Sequence, residues 1–176
     1  MSAPSKIYCI GDSITFGQEL PSLAKAFPRL LVHALSCKVT TKGICGETTR
    51  AALERFHDVQ DSGCDVAVIQ YGHNDCNRWE SDLGLNRVSP DAFRANLREM
   101  VGRCKRFGIR PIFMAPHQTL LGEEYEFDRE VYAGIMYDTC DEVVSAILKE
   151  GMLVDAIHPN EHGHEVIADA IAKRIL

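Results

Sequence analysis

No two cysteines in this chain stand as a CxxC pair. The seven, Cys9, Cys37, Cys45, Cys64, Cys76, Cys104 and Cys140, are scattered singly. That excludes zinc-ribbon and thioredoxin-like sites. The odd number and irregular spacing suit a reducing compartment, where cysteine behaves as a small hydrophobe. Long apolar runs are missing too. Nothing approaches the ~18 residues of a membrane span, and the run at 7–10 is far shorter than the ~7–15 residues of a signal-peptide core. The expectation is a cytoplasmic protein without membrane insertion. Basic charge is scarce: the net charge is −6. Phosphate binding wants a basic surface, so nucleic acid is not expected as a partner. Repeats, low-complexity tracts and linkers are absent as well, and the 176 residues read as one domain, 1–176.

What is present is a 45% hydrophobic content, enough for a full core, arranged in alternation. Apolar β-rich runs fall at 6–10, 38–42, 65–71 and 110–115. Between them lie segments with helical spacing. In 26–35, Phe27, Leu30, Leu31 and Ala34 share a face. In 90–107, Phe93, Leu97, Met100, Val101 and Cys104 do so, with Ser89 as N-cap, Pro90 at the first position and Gly108 as C-cap. A last helix over 161–176 carries Val166, Ile167, Ala170 and Ile171 inward. Strands alternating with helices predict a parallel sheet covered on both sides. In such folds ligands bind beyond the carboxyl ends of the strands.

The residues that follow each strand are therefore the informative ones. They are Gly11-Asp12-Ser13, then Gly43 to Thr49, then Gly72-His73-Asn74-Asp75, and near the end Asp155-Ala-Ile-His158. Acyl transfer needs that set. Serine is a weak nucleophile until a base lies within hydrogen-bond reach. His158 can serve as that base for Ser13. Asp155, three residues earlier, could meet the ring Nδ1–H in one tight turn and fix its tautomer. The oxyanion of a tetrahedral intermediate needs prearranged donors. Ser13 N–H, Gly46 N–H and the Asn74 amide are available, and glycine at 46 would allow close backbone approach.

On these residues the chain resembles the SGNH hydrolases, also called the GDSL esterase family. The blocks read GDSIT at 11–15, GICGETT at 43–49, YGHND at 71–75 and DAIHPN at 155–160. The resemblance implies an α/β fold of flavodoxin-like type, a three-layer α/β/α sandwich with a central parallel sheet of about five strands. It implies no metal or organic cofactor, and hydrolysis of an ester or thioester through an acyl-enzyme on Ser13. The partner expected is a small-molecule ester substrate. Acyl transfer to another alcohol is a variant of the same chemistry. A non-catalytic small-ligand binder on the same fold and a nucleotide binder are the readings from other classes. Oligomeric state is not legible.

Two departures from the family pattern stand out. His73 occupies a position that commonly holds glycine, and 76–89 reads as an insertion. The stretch 123–151 looks short for a helix, a strand and a loop; the fifth strand is expected at 151–156, with 131–137 as the other candidate. Substrate contacts are expected from His73, Arg78, Trp79 and His117, with Gln118, Thr119 and Tyr125 as a second wall. Trp79 could equally anchor the inserted loop. No long apolar lid is evident, which favours a small acyl group.

Each residue also has a plain structural reading. Ser13 could cap a helix, Asn74 could cap a turn, and Gly43 is expected to be a turn residue. Asp12 is expected to brace the turn at Ser13, and Asp75 to bond loop backbone. His158, His162 and His164 tempt toward a metal site, but Pro159 and Gly163 break any common face, and no metal is expected. Cys45 and Cys76 flank the site as possible reactive thiols, although buried inert cysteine is commoner.

Overall fold

The computed structural model describes residues 4–79, 83–149 and 151–176. Five parallel strands form its sheet: β1 (Lys6–Gly11), β2 (Lys38–Gly43), β3 (Val66–Gln70), β4 (Arg110–Met114) and β5 (Val143–Val144). Their order is β2-β1-β3-β4-β5, the flavodoxin-like arrangement. β3 is central and buried at every position, as its unbroken VAVIQ sequence predicts. β2 lies at the edge and is partly exposed throughout.

Alternation along β1 and β3 sends side chains to two separate cores. Tyr8, Ile10, Ala67 and Ile69 face one layer, built by α3 (Thr49–Glu54), α4 (His57–Gln60), α6 (Pro90–Arg106) and α7 (Glu123–Thr139). Ile7, Cys9, Val66 and Val68 face the other, built mainly by α2 (Phe27–Leu35) and α8 (Glu161–Ile175). The result is an α/β/α sandwich. Two short helices sit at the strand ends, α1 (Ser13–Phe16) and α5 (His73–Cys76). Among the described residues no helix is long and apolar enough to cross a membrane.

The expected helices form with small shifts. α6 starts on Ser89, whose side chain accepts from Ala92 N–H, and buries Phe93, Leu97, Met100 and Cys104. Gly108 follows in the left-handed region. In α2 the inner face holds Leu35 rather than Ala34, and in α8 it holds Ala168 and Ala172 beside Ile167 and Ile171.

The fifth strand corrects the sequence expectation. Residues 131–137 lie inside α7, where Tyr132, Ile135 and Met136 meet the core at helical spacing. Residues 151–156 make no strand; only Leu153 bridges to Pro159. β5 is instead a two-residue pairing at Val143–Val144. Beyond it Val144, Ala146 and Leu148 are buried while Ser145 and Ile147 are exposed. That alternation over 143–148 was the available signal. Its pairing is so short that local pattern hardly distinguishes it from a loop.

Two close approaches shape the rim. A Cβ on Gly43 would stand 2.7 Å from Phe16 Cα and 2.8 Å from the Asp12 carbonyl oxygen. Gly43 is thus more than a turn residue: its bare backbone lets α1 seat against β2. A Cβ on Gly163 would stand 2.6 Å from the Met152 carbonyl oxygen, so that glycine lets α8 pack on the turn before it.

The histidine-rich segment serves this packing. The Asn160 side chain caps α8 by accepting from Gly163 N–H at 3.1 Å. His164, fully buried, accepts the Phe27 N–H through Nδ1 at 3.2 Å. α2 has no side-chain cap of its own, so His164 supplies one from across the layer. Burial pushes its pKa down to about 4. A proton on Nδ1 would face the Phe27 N–H and abolish the bond.

Two predictions follow from this packing. Gly43→Ala should cost about 1–3 kcal/mol of stability through overpacking; an unchanged urea midpoint would contradict the close approach. For His164, the folded-state pKa lies below the ordinary 6.5. Its contribution is complete above that value and lost as pH falls through about 4. Between pH 7 and 4, His164→Gln should lose less unfolding free energy than the native chain, by about 3 kcal/mol. Parallel pH profiles would refute the buried neutral histidine.

Candidate active site

Ser13 is the first residue of α1, directly beyond the end of β1. Asp12 is the N-cap: its Oδ1 accepts from Ile14 N–H at 2.9 Å. Gly17, at φ +88°, ends the helix after one turn. Thr15 donates through both N–H and Oγ1 to Gln70 Oε1, at 3.2 and 2.9 Å, which ties the turn to the end of β3. Asp12 thus braces the turn as its sequence position suggests. The cap role open to Ser13 belongs to Asp12, and the Ser13 hydroxyl is free to bond elsewhere.

That hydroxyl meets His158. Ser13 Oγ lies 3.0 Å from His158 Nε2, and His158 Nδ1 lies 2.7 Å from Asp155 Oδ2. The other Asp155 oxygen accepts from the Ile157 and His158 N–H groups at 2.8 and 2.7 Å. Burial alone would raise the Asp155 carboxyl, but the His158 ring and these backbone donors outweigh it and hold the pKa below its ordinary value. The 155–158 turn is pinned from below. Val154 N–H donates to the His158 carbonyl at 2.8 Å, and Leu120 N–H to the Ala156 carbonyl at 2.8 Å. Ser13 is 8% exposed and the Asp155 side chain, at the far end of the line, 45%.

Gly46 and Asn74 come from the two neighbouring strand ends. Gly46 has φ +77°, and a Cβ there would meet nothing within 4 Å. Glycine is therefore required by the left-handed backbone rather than by crowding within the chain. Among the described residues no acceptor bonds Ser13 N–H or Gly46 N–H. Asn74 sits in the single turn of α5 and donates through Nδ2 to Asp12 Oδ2 at 3.3 Å. Asp75, beside it, accepts from Thr49 N–H at 2.9 Å and from the Thr49 hydroxyl. It therefore holds the start of α3 and joins the second block to the third. Burial raises the pKa of Asp12 to about 7 and that of Asp75 to about 6.

The loop carrying Gly46 rests on a buried ion pair. Glu47 accepts from Tyr71 Oη at 2.6 Å and from Arg55 Nε at 2.7 Å. Arg55 also donates to the Lys42 carbonyl at 3.1 Å. Sequence reading passed over this cluster, since its members lie 8 and 24 residues from Glu47.

The residues expected to touch substrate fall into different environments. His73 and His117 are buried against each other, His73 Nε2 and His117 Nδ1 being 3.2 Å apart. His73 Nδ1 lies 3.0 Å from Tyr125 Oη, and His117 Nε2 lies 2.9 Å from the Ile157 carbonyl oxygen. The chain Tyr125–His73–His117–Ile157 thus runs from α7 to the 155–158 turn. Burial lowers both histidine pKa values, His117 to about 4. These rings brace the site from behind.

Arg78 is bound elsewhere. Its guanidinium pairs with Asp128 at 2.6 and 2.9 Å and with Glu124 at 3.3 Å. Trp79, 45% exposed, covers the guanidinium of Arg87 at 4.0 Å. Of the insertion 76–89, residues 80–82 lie outside the described residues. Gln118 is exposed, while Thr119 bonds Glu126 at 2.9 and 2.6 Å. Cys45 is exposed beside Gly46, and Cys76 is buried. A cavity of about 310 Å³ opens beside α5, lined by Cys76, Asn77, Arg78, Leu121, Tyr125 and their acidic neighbours on α7. Among the described residues no three His, Cys, Asp or Glu side chains gather to hold a metal ion.

Comparison with known proteins gives the family. The GDSL-like lipase/acylhydrolase family matches residues 9–166. No curated protein matches the chain by sequence. Among solved structures, the chain is similar to LAE5, an alpha/beta hydrolase enzyme from the metagenome of Lake Arreo, Spain. The TM-score is 0.84 at 24% identity, covering 99% of this chain and 96% of that one. It is similar to a G-D-S-L family protein from Desulfitobacterium hafniense DCB-2, with TM-score 0.78 at 22% identity and coverage of 98% and 99%. It is also similar to Axe2, an acetylxylan esterase from Geobacillus stearothermophilus, with TM-score 0.76 at 26% identity and coverage of 97% and 94%. These findings together support an ester hydrolase. With its four blocks ordered along a 2-1-3-4-5 parallel sheet, the chain belongs to the GDSL-like lipase/acylhydrolase family.

Proposed function

We propose that the chain is a serine ester hydrolase that removes a small acyl group, with an acetylated carbohydrate as the leading substrate class. One observation carries the mechanism: the continuous line Ser13 Oγ, His158 Nε2, His158 Nδ1, Asp155 Oδ2, with steps of 3.0 and 2.7 Å. In this reading Ser13 Oγ attacks the ester carbonyl while His158 Nε2 takes its proton. Asp155 keeps the Nδ1–H tautomer and stabilises the imidazolium as it forms. The tetrahedral oxyanion is met by Ser13 N–H, Gly46 N–H and Asn74 Nδ2. His158 then returns the proton to the leaving alcohol, and water repeats the sequence on the acyl-Ser13 ester to release the acid.

The substrate class rests on one likeness. One structural neighbour is an acetylxylan esterase. The seven free cysteines, five of them buried, support a reducing, cytoplasmic location.

The decisive experiment is hydrolysis of p-nitrophenyl esters from acetate to decanoate by the native chain and Ser13→Ala. Turnover should be strongest on acetate and vanish in the variant. Equal rates in both proteins would end the assignment. Absence of turnover together with absence of fluorophosphonate labelling at Ser13 would favour a small-ligand binder. Asn74→Ala should lower kcat about 10²–10³-fold, as loss of one oxyanion donor does; an unaltered kcat would remove Asn74 from that role.

A further inference from the structure

Arg87 lies at the closing point of the 76–89 insertion, well outside the four blocks. Its own N–H donates to the Asn77 carbonyl at 3.0 Å. Just before it, Asn86 bridges to Arg78, and Asn86 Nδ2 donates to the Cys76 carbonyl at 2.7 Å. Just after it, Val88 N–H donates to the Asp75 carbonyl at 3.2 Å, and the Val88 carbonyl accepts the Tyr132 hydroxyl. The backbone at Arg87 is therefore held on both sides. Its guanidinium is aimed as a consequence.

Nη1 of Arg87 donates to two acceptors, the Gly46 carbonyl at 2.9 Å and Asn74 Oδ1 at 3.5 Å. The second is at the long limit of a hydrogen bond, and the charge on the donor strengthens it. The two acceptors belong to the two oxyanion donors that come from outside the Ser13 turn. Each of those donors has a freedom that could waste it. The Asn74 amide can flip, which would present its oxygen, instead of its N–H, to a developing negative charge. Guanidinium is donor-only, so beside it the amide must place Oδ1. Asp12 on the far side accepts from Nδ2 at 3.3 Å, so the amide is oriented from both ends. Gly46 has left-handed backbone and no side chain to hold it; the bond to its carbonyl holds the 46–47 peptide and so restrains the rotation at Gly46 that would carry its N–H, in the 45–46 peptide, away. The Trp79 ring, 4.0 Å from the guanidinium carbon, holds the plane through a cation–π contact and shields one face from water.

We infer that Arg87 is a positioning residue for ester hydrolysis: with Trp79 stacked on it, its guanidinium orients Gly46 and Asn74 jointly as oxyanion donors. The inference rests on the serine-hydrolase reading above. It gives the insertion a catalytic task and gives Trp79 a supporting role instead of a substrate contact.

The test is a double-mutant cycle on p-nitrophenyl acetate with Arg87→Met, Asn74→Ala and the pair, each checked by thermal unfolding. Arg87→Met should lower kcat about 10–100-fold, less than loss of a donor itself, with KM within about 3-fold. On the Asn74→Ala background the same change should cost less than in the native chain, because only its hold on Gly46 is left to lose. Arg87→Lys should restore kcat only in part, since an ammonium lacks the planar face that stacks on Trp79; if Arg87→Met does not fold, Arg87→Lys completes the cycle. A kcat unchanged in Arg87→Met, or a full loss repeated on Asn74→Ala, would overturn the positioning role and leave the esterase intact. An unchanged kcat in Asn74→Ala would overturn both this role and the oxyanion assignment of Asn74. Turnover in Ser13→Ala would end the reading of Ser13 as nucleophile, on which this inference rests.

Discussion

The 3.0 Å contact between Ser13 Oγ and His158 Nε2 joins groups 145 residues apart. Each end must be placed independently, and the rest of the rim is arranged to do so. At the first end, Gly43 lets α1 lie against β2, while Gln70 anchors Thr15 from β3. At the other end, Gly163 lets α8 approach the turn, and Leu120 and His117 hold its peptide carbonyls. Each support holds one end of that contact, and a hydrogen bond between distant groups tolerates little misplacement.

The same rim buries charge at some cost. Asp12, Asp75 and Glu47 are nearly inaccessible to water, and burial of a carboxylate is unfavourable unless it is bonded. Each has a bond that joins two blocks, while among the described residues Asp75 Oδ2 has no partner. Asp12 reaches Asn74, Asp75 reaches Thr49, and Glu47 reaches Tyr71 and Arg55. These polar links hold the strand-end loops to one another, a task the apolar cores beneath cannot perform with such directionality. The Arg87–Trp79 pair extends the scheme to the inserted loop.

Much of the fold was legible. Strands β1 to β4 appear as apolar runs, and α2, α6 and α8 as amphipathic periods, α6 with its caps, because these depend on local pattern alone. α7 was not legible. Its buried positions are interleaved with charges, and the exposed Phe127, Val131 and Tyr137 blur its face. β5 was misplaced because a two-residue pairing at a sheet edge leaves almost no period to read. At the site, Ser13, Asp155 and His158 were legible because the turn chemistry around them is local. Asp155 reaches His158 across three residues.

The sequence by itself determined the parallel sheet, the three strand-end blocks, the 155–160 turn and the identity of the groups that meet at the rim. Those follow from hydrophobic period, turn residues and the short range of each motif. Only the tertiary structure decided which groups are available. Arg78 is taken by Asp128, His73 and His117 face each other, His164 caps a helix across the layer, and Arg87 reaches both Gly46 and Asn74. These partnerships depend on where distant segments come to rest. No local pattern specifies which of several donors will arrive at a given acceptor once the chain has closed.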